Sequence, residues 1–180
     1  MIEKEYIDNI NTDEADVRLI ASAENKRAYE FIKRIGDIVF SSVGLIILLP
    51  FFLIISAAIR LEDGGKAFFL QERVGRNGKI FKMYKFRSMC VDAEERFEEV
   101  AHLNEADGPA FKIENDPRTT KVGRIIRRLS IDELPQLINC IKGDMSIVGP
   151  RPPLEREVEK YNAYQRQRLL VKPGITCYWQ

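Results

Sequence analysis

Two acids, Asp132 and Glu133, stand side by side behind a run of arginines in RRLSIDELPQLIN, Arg127 to Asn139. A carboxylate pair among cations is a candidate for catalysis, but it is also how many helices begin. Ser130 followed by Glu133 and an apolar run has the pattern of a capping box, and acids suit the positive end of a helix. Pro135 divides this structural reading in two. With Ser130 as N-cap the proline costs a backbone hydrogen bond. With Asp132 as N-cap it falls in the first turn, where no donor is needed. Three further cations suit phosphate. Lys85 and Arg87 alternate onto one face of a strand beside aromatics. Arg151 lies in VGPRPP, where neighbouring prolines fix the backbone and so hold an arginine fork in place. A solvated sheet face explains the first two equally well.

The elements that must position these residues follow from local patterning. AFFLQERVGRNGKIFKMYKFRSM reads as two strands about an Asn77-Gly78 turn of type I′. An acidic helix is expected from Asp92 to about Ala106, and a loop through DGPAFKIENDPRTT. Arg118, Lys121, Arg124 and Arg127 recur at three-residue steps. They form a basic stripe opposite Val122, Ile125 and Ile126, and near anionic lipid each such cation contributes about 1 kcal/mol. Lys142-Gly143 marks a helix end. A last helix is expected from Pro153 to about Leu170, with Leu154, Val158 and Tyr161 on one stripe.

Ile38 to Ile59 contains no charged residue. Roughly 22 residues make about 33 Å of helix, enough to cross a bilayer core, and membrane association is expected. Pro50 interrupts the segment, and basic residues flank it on both sides. Those flanks favour a helix that breaks, enters and returns over one that crosses, although a plain span with a tolerated proline fits the same features. The 180 residues carry a formal net charge of +1, which implies no nucleic-acid partner. Cys90, Cys140, Cys177 and the single His102 form no zinc pattern, and scattered cysteines fit a reducing compartment. The acidic, polar opening residues lead us to expect no cleavable secretory signal.

Taken in order, the apolar segment with its proline, FKMYKFRSM, RRLSIDELPQLINCIKGDMSIVGPRP and VKPGIT resemble the monotopic phosphoglycosyl transferases, bacterial sugar transferases that start membrane glycoconjugates. The resemblance covers about Phe31 to the last residue. It implies a mostly helical α/β fold. A polar N-terminal extension (1–30) would precede a re-entrant membrane helix (31–62) broken at Pro50. A compact cytosolic catalytic domain (63–180) would follow, with interfacial amphipathic helices and a small β-hairpin. The implied reaction moves a sugar 1-phosphate from a nucleotide sugar, usually UDP-linked, to a polyprenol phosphate such as undecaprenyl phosphate. Asp132 would be the nucleophile, forming a phospho-aspartyl intermediate, and Glu133 would hold Mg2+. Lys85, Arg87 and Arg151 match basic residues of the family's blocks, and phosphate contact is our inference for them. Asp144, in GDMS, would support its loop. The implied location is the bacterial cytoplasmic membrane, with the catalytic domain facing the cytoplasm.

Elementary chemistry is compatible with that assignment. Adjacent acids about 100° apart on a helix cannot straddle a glycosidic bond, whereas one acid for phosphorus and one for a metal need no opposed arrangement. Helix N-terminal donors and nearby arginines would keep Asp132 ionised. The family continues past VKPGIT into a segment with a Gly-Arg element, whereas this sequence stops at CYWQ, so the catalytic domain is expected to be C-terminally incomplete. An inactive, membrane-anchored adaptor that binds anionic lipid remains the alternative, as does a lipid-binding regulator of polysaccharide export.

Overall fold

A computed structural model describes residues 27–105, 113 and 115–177. Most of the polar N-terminal extension, part of the loop after Ala106 and the terminal YWQ lie outside these residues. The chain is mixed α/β and mostly helical. The first element, α1, is a helix of 37 residues, Arg27–Asp63, and it is long and apolar enough to cross a membrane. It runs unbroken through Pro50. The expected break is not an interruption of helical structure, because a proline removes one donor while the apolar residues on either side retain theirs.

One stripe of α1 faces inward: Asp37, Ser41, Phe52 and Ile59 are buried, and Leu45, Leu48 and Ile55 pack against the core. These steps of three and four residues are the helical period. The folded body therefore lies along the helix. The opposite face leaves Phe40, Ile46, Leu53 and Ile54 exposed.

The expected hairpin is present. β1 (Phe68–Val74) and β2 (Ile80–Phe86) pair antiparallel, with Gln71 opposite Met83. Asn77 and Gly78 at the tip both have positive φ, 57° and 76°, as a type I′ turn requires. The Lys79 amide closes that turn on the Arg76 carbonyl at 3.2 Å. β3 (Ser146–Val148) and β4 (Gly174–Thr176) form a parallel pair that alternation in the sequence did not suggest. Three residues are too few for a period to register.

The acidic helix is reduced to α2, Phe97–Val100, followed by a short 3-10 turn over Ala101–Leu103. Its acids lack a continuous apolar face to dock. The basic stripe is also shorter than expected. Helix α3 begins at Lys121 and ends at Arg128, with Thr120 as N-cap accepting from the Gly123 amide at 2.9 Å. Arg118 lies before it, buried on Asp116 at 2.6 Å and on the Ala93 carbonyl at 2.9 Å. Ile125 points outward rather than into the core. Gly143, at φ 93°, ends helix α4 (Leu137–Lys142) where a glycine stop was expected. The single helix expected over Pro153 to Leu170 is instead two short ones, α5 (Glu155–Val158) and α6 (Ala163–Arg166), then a 3-10 turn, Gln167–Leu170. Asn162 divides them by accepting from the Gln165 amide at 2.8 Å and starting α6 afresh.

Two apolar clusters hold the body together. Phe52 and Ile59 of α1 meet Phe86 and Ile126 in one, and Phe81, Met83, Cys140 and Met145 form the other. Phe86 sits between Phe52, edge-on with centroids 5.0 Å apart, and Phe68, stacked at 5.1 Å. The hairpin is thereby fixed to the apolar helix.

Candidate active site

The acidic pair lies on neither helix. Ser130 takes a left-handed conformation (φ 56°) and turns the chain sharply after α3. A 3-10 segment, Ile131–Gln136, then carries Asp132, Glu133 and Pro135 up to the start of α4. The Ser130 side chain caps nothing, and its carbonyl accepts from the Glu133 amide at 3.3 Å. Both capping schemes therefore give way to a tight connection in which Pro135 has no donor to lose. Ile131 and Leu134, on either side of the acids, pack into the cluster built on α1. The turn that carries the dyad thus shares an apolar cluster with Phe52 and Ile59 of α1.

Asn139 sets its position relative to the hairpin. This fully buried side chain accepts from the Tyr84 amide at 3.0 Å and donates to the Lys82 carbonyl at 2.8 Å, as a neighbouring strand would. Its own carbonyl accepts from the amides of Gly143, Asp144 and Met145. The Asp144 carboxylate accepts from the Asn139 amide group at 3.4 Å. One residue past Tyr84, the Lys85 ammonium donates to Glu133 Oε1 at 2.7 Å.

Asp132 is 9% exposed. Burial pushes its carboxyl pKa upward, Lys85 is the strongest opposing influence, Glu133 adds to the rise, and Arg127 lowers it. Nearby cations therefore act as expected, but desolvation outweighs them. Such a carboxylate is poorly solvated and close to cations, which suits attack on an electrophile that is itself anionic. Arg73, buried on the hairpin, donates to the Pro152 carbonyl at 3.0 Å and to Gln71. Burial and then Arg151 push its pKa down to about 10, while Glu157 and Glu133 oppose that shift.

Of the residues singled out from sequence, Asp132, Glu133 and Lys85 come together, whereas Arg151 is exposed and acts only electrostatically on Arg73. Arg87 does not join them. Its guanidinium pairs with Asp63 at the end of α1 and lies over Gly65. Pro50 is exposed on the far face of α1. Arg73 and Asn139 were missed. Arg73 could have been found from the alternation of β1, whereas nothing local marks Asn139. Among the described residues no three His, Cys, Asp or Glu side chains gather as a ready metal cage.

The sequence profile of the family described as bacterial sugar transferase matches residues 28–180. The chain is 52% identical over 155 residues to galactosyl transferase CpsE of Streptococcus agalactiae, covering 86% of this chain and 34% of that protein. It is 44% identical to the exopolysaccharide production protein ExoY of Rhizobium meliloti, covering 82% and 67%. It is 46% identical to an undecaprenyl-phosphate galactose phosphotransferase of Salmonella typhimurium, covering 86% and 33%. The chain thus spans about a third of two of these relatives and two thirds of the other.

Proposed function

The chain belongs to the bacterial sugar transferase family, and on that premise we propose that it transfers a sugar 1-phosphate from a UDP-sugar to a polyprenol phosphate through a phospho-aspartyl enzyme. The observation that carries this reading is the dyad's position, with Glu133 paired to Lys85 and the residues on either side of the acids packed into the apolar cluster shared with α1. A charged, water-soluble donor and a lipid acceptor can both reach such a junction.

In the first step an Asp132 carboxylate oxygen attacks the phosphorus that bears the sugar. A P–O bond to Asp132 forms, the bond to the nucleotide breaks, and uridine monophosphate leaves with that electron pair. In the second step an oxygen of the polyprenol phosphate attacks the same phosphorus, and Asp132 departs as a carboxylate. Burial makes Asp132 less well hydrated than a surface acid and raises its pKa, while Lys85 and Arg127 oppose that rise and place positive charge where a diphosphate would bind. Lys85 also holds Glu133 in place. Two adjacent carboxylates fit magnesium, which commonly binds through one or two carboxylates plus substrate phosphate oxygens. Glu133 would hold it, and when bound it neutralises diphosphate charge.

The same reading includes a re-entrant α1. About 56 Å of helix exceeds a bilayer core of about 30 Å, yet both ends are tied to one body. Glu30 accepts from Arg76 at 2.9 Å near the start, and Glu62 accepts from the Lys121 amide at 2.7 Å near the end. A straight crossing would carry one set of partners through the membrane. Pro50 lies on the exposed face, where its ring favours a bend that is convex away from the body. Nucleotide sugars are cytoplasmic metabolites, so the body faces the cytoplasm.

The test is incubation of membranes containing the chain with magnesium, radiolabelled UDP-sugars and undecaprenyl phosphate. Label should appear in lipid and vanish in Asp132→Asn, and intact-mass analysis with donor alone should place the phosphosugar on Asp132. Product from Asp132→Asn would refute the mechanism. No product from any donor favours the adaptor.

A further inference from the structure

A second polar site lies away from the dyad. A cavity of 530 Å³ opens at the N-terminal end of α1, and Arg27, Lys33, Arg34, Arg76 and Lys172 line it. Asp132, Glu133 and Lys85 are not among its walls. Helix α4 separates the two places: the dyad precedes its first turn, while Arg34 donates to the carbonyls of Cys140 and Ile141 near its last.

The two acids of the cavity are already engaged. Asp37 accepts from Ser146 Oγ and from the Ile147 amide, both at 3.0 Å, and lies 3.8 Å from Lys33. Glu30 accepts from Arg76. Lys172 forms no ion pair among the described residues. Burial, with Arg34 and Arg76 beside it, pushes its pKa down, and Asp37 and Glu30 only partly offset this. Arg34, Arg76 and Lys33 are held by the Cys140 and Ile141 carbonyls, by Glu30, and by Ser146 and the Val148 carbonyl. They leave a positive field in the cavity, and Arg27 and Lys172, which make no hydrogen bond or ion pair among the described residues, supply the fork and ammonium that match phosphate oxygens. The rim is apolar, with Tyr29, Phe31, Val148 and Val171 exposed along it. It continues into the exposed Ile32 and Ile35 of α1. A soluble anion would have no use for that surface, whereas acyl or prenyl chains would.

We propose that this cavity binds the phosphate head of a membrane lipid, with its chains lying along the exposed face of α1. The site anchors lipid rather than reacting with it, because the dyad is elsewhere. It requires a membrane location but not group transfer.

The experiment is native mass spectrometry of the full chain in neutral detergent. Titrants are dioleoyl phosphatidylglycerol, undecaprenyl phosphate, dioleoylglycerol (which lacks phosphate) and inorganic phosphate. Retention of either phosphate-headed lipid over dioleoylglycerol is expected, and the lipid whose retention falls on Lys172 substitution identifies the source. Lys172→Met should weaken retention about fivefold, equivalent to about 1 kcal/mol for one cation, and Lys172→Glu should weaken it more. Lys160→Glu, an exposed reversal elsewhere, should leave it unchanged, and Asp132→Asn should leave phosphatidylglycerol retention unchanged. If Lys172 variants prove unstable, Arg27→Gln replaces them, with the same loss expected. Equal retention of dioleoylglycerol, binding of inorganic phosphate without lipid, or indifference to these substitutions overturns the proposal. Loss of transfer in Asp132→Asn with lipid retention intact separates this site from the reaction.

Discussion

Replacing Lys85 by Met keeps the aliphatic stem and removes the charge. The ion pair with Glu133 is 2.7 Å long, and the two side chains are 20% and 34% exposed. At that separation Coulomb's law gives about 6 kcal/mol at an effective dielectric of 20 and about 1.5 at 80. Desolvation of both groups offsets much of this. Exposed pairs contribute about 0–1 kcal/mol, and breaking a fully buried pair costs about 3–5. A half-screened pair lies between, at about 2 kcal/mol, or roughly 30-fold in rate if Glu133 must hold its position in the transition state. The assay is initial-rate transfer to undecaprenyl phosphate as a function of pH, together with Glu133→Gln and the double variant. Because Lys85 is the main influence lowering the Asp132 pKa, its loss should move the acid limb of kcat/KM to higher pH. The double-variant cycle should return a coupling of about 2 kcal/mol. A fall of less than threefold, an acid limb that stays in place, or strictly additive effects would refute the claim that Lys85 acts through the dyad.

Asp132→Asn should raise the melting temperature at neutral pH by a few degrees, on the order of 2–4 °C per kcal/mol regained. The sign follows from burial raising the folded pKa: stability from the proton is present below the unfolded value and lost as pH rises through the folded one. Thermal unfolding across pH checks this, and the advantage should vanish in acid. Gly174→Ala should destabilise by about 3 kcal/mol or more, because a Cβ there would lie 2.0 Å from the Gly149 nitrogen. Urea unfolding measures it, and a change below 1 kcal/mol contradicts the tight β3–β4 pairing. Cys140, fully buried with its thiol pushed up to about 11 by burial, should resist maleimide at pH 8 until the fold is opened. Fast labelling of Cys140 in folded protein contradicts the packing of α4 against α1.

What the sequence disclosed were features with a local physical cause. An uncharged run of helical length becomes α1, Asn77-Gly78 takes the positive φ values that few other pairs accept, and Gly143 ends α4. The dyad was legible as residue types, but its backbone was not: capping rules favour a helix start, and the left-handed Ser130 leads into a 3-10 turn instead. The cations divided according to partners that no spacing reveals. Lys85 meets Glu133 across 48 positions of chain, while Arg87, two residues on, turns to Asp63. Arg118 left the basic stripe for Asp116, two residues away, because the helix starts only after Thr120. Contacts such as Asn139 with Lys82 and Tyr84 replace a strand with a side chain and leave no periodic trace.

Those long-range contacts explain why the apolar helix is tied to the turn that carries the acidic pair. Near its C-terminal end, Glu62 places a carboxylate on the Lys121 and Val122 amides at 2.7 and 3.1 Å, the positive end of α3. Near its N-terminal end, Arg34 places a guanidinium on the Cys140 and Ile141 carbonyls, the negative end of α4. Each charge is of the sign its helix end favours. The turn that carries Asp132 and Glu133 is the short connection between those two helices. One long apolar element therefore holds both supports of the dyad from opposite ends. Sliding α1 along the body would break at least one of these clamps and tilt the helix it holds. The geometry of the carboxylates is thereby coupled to how α1 sits against the body.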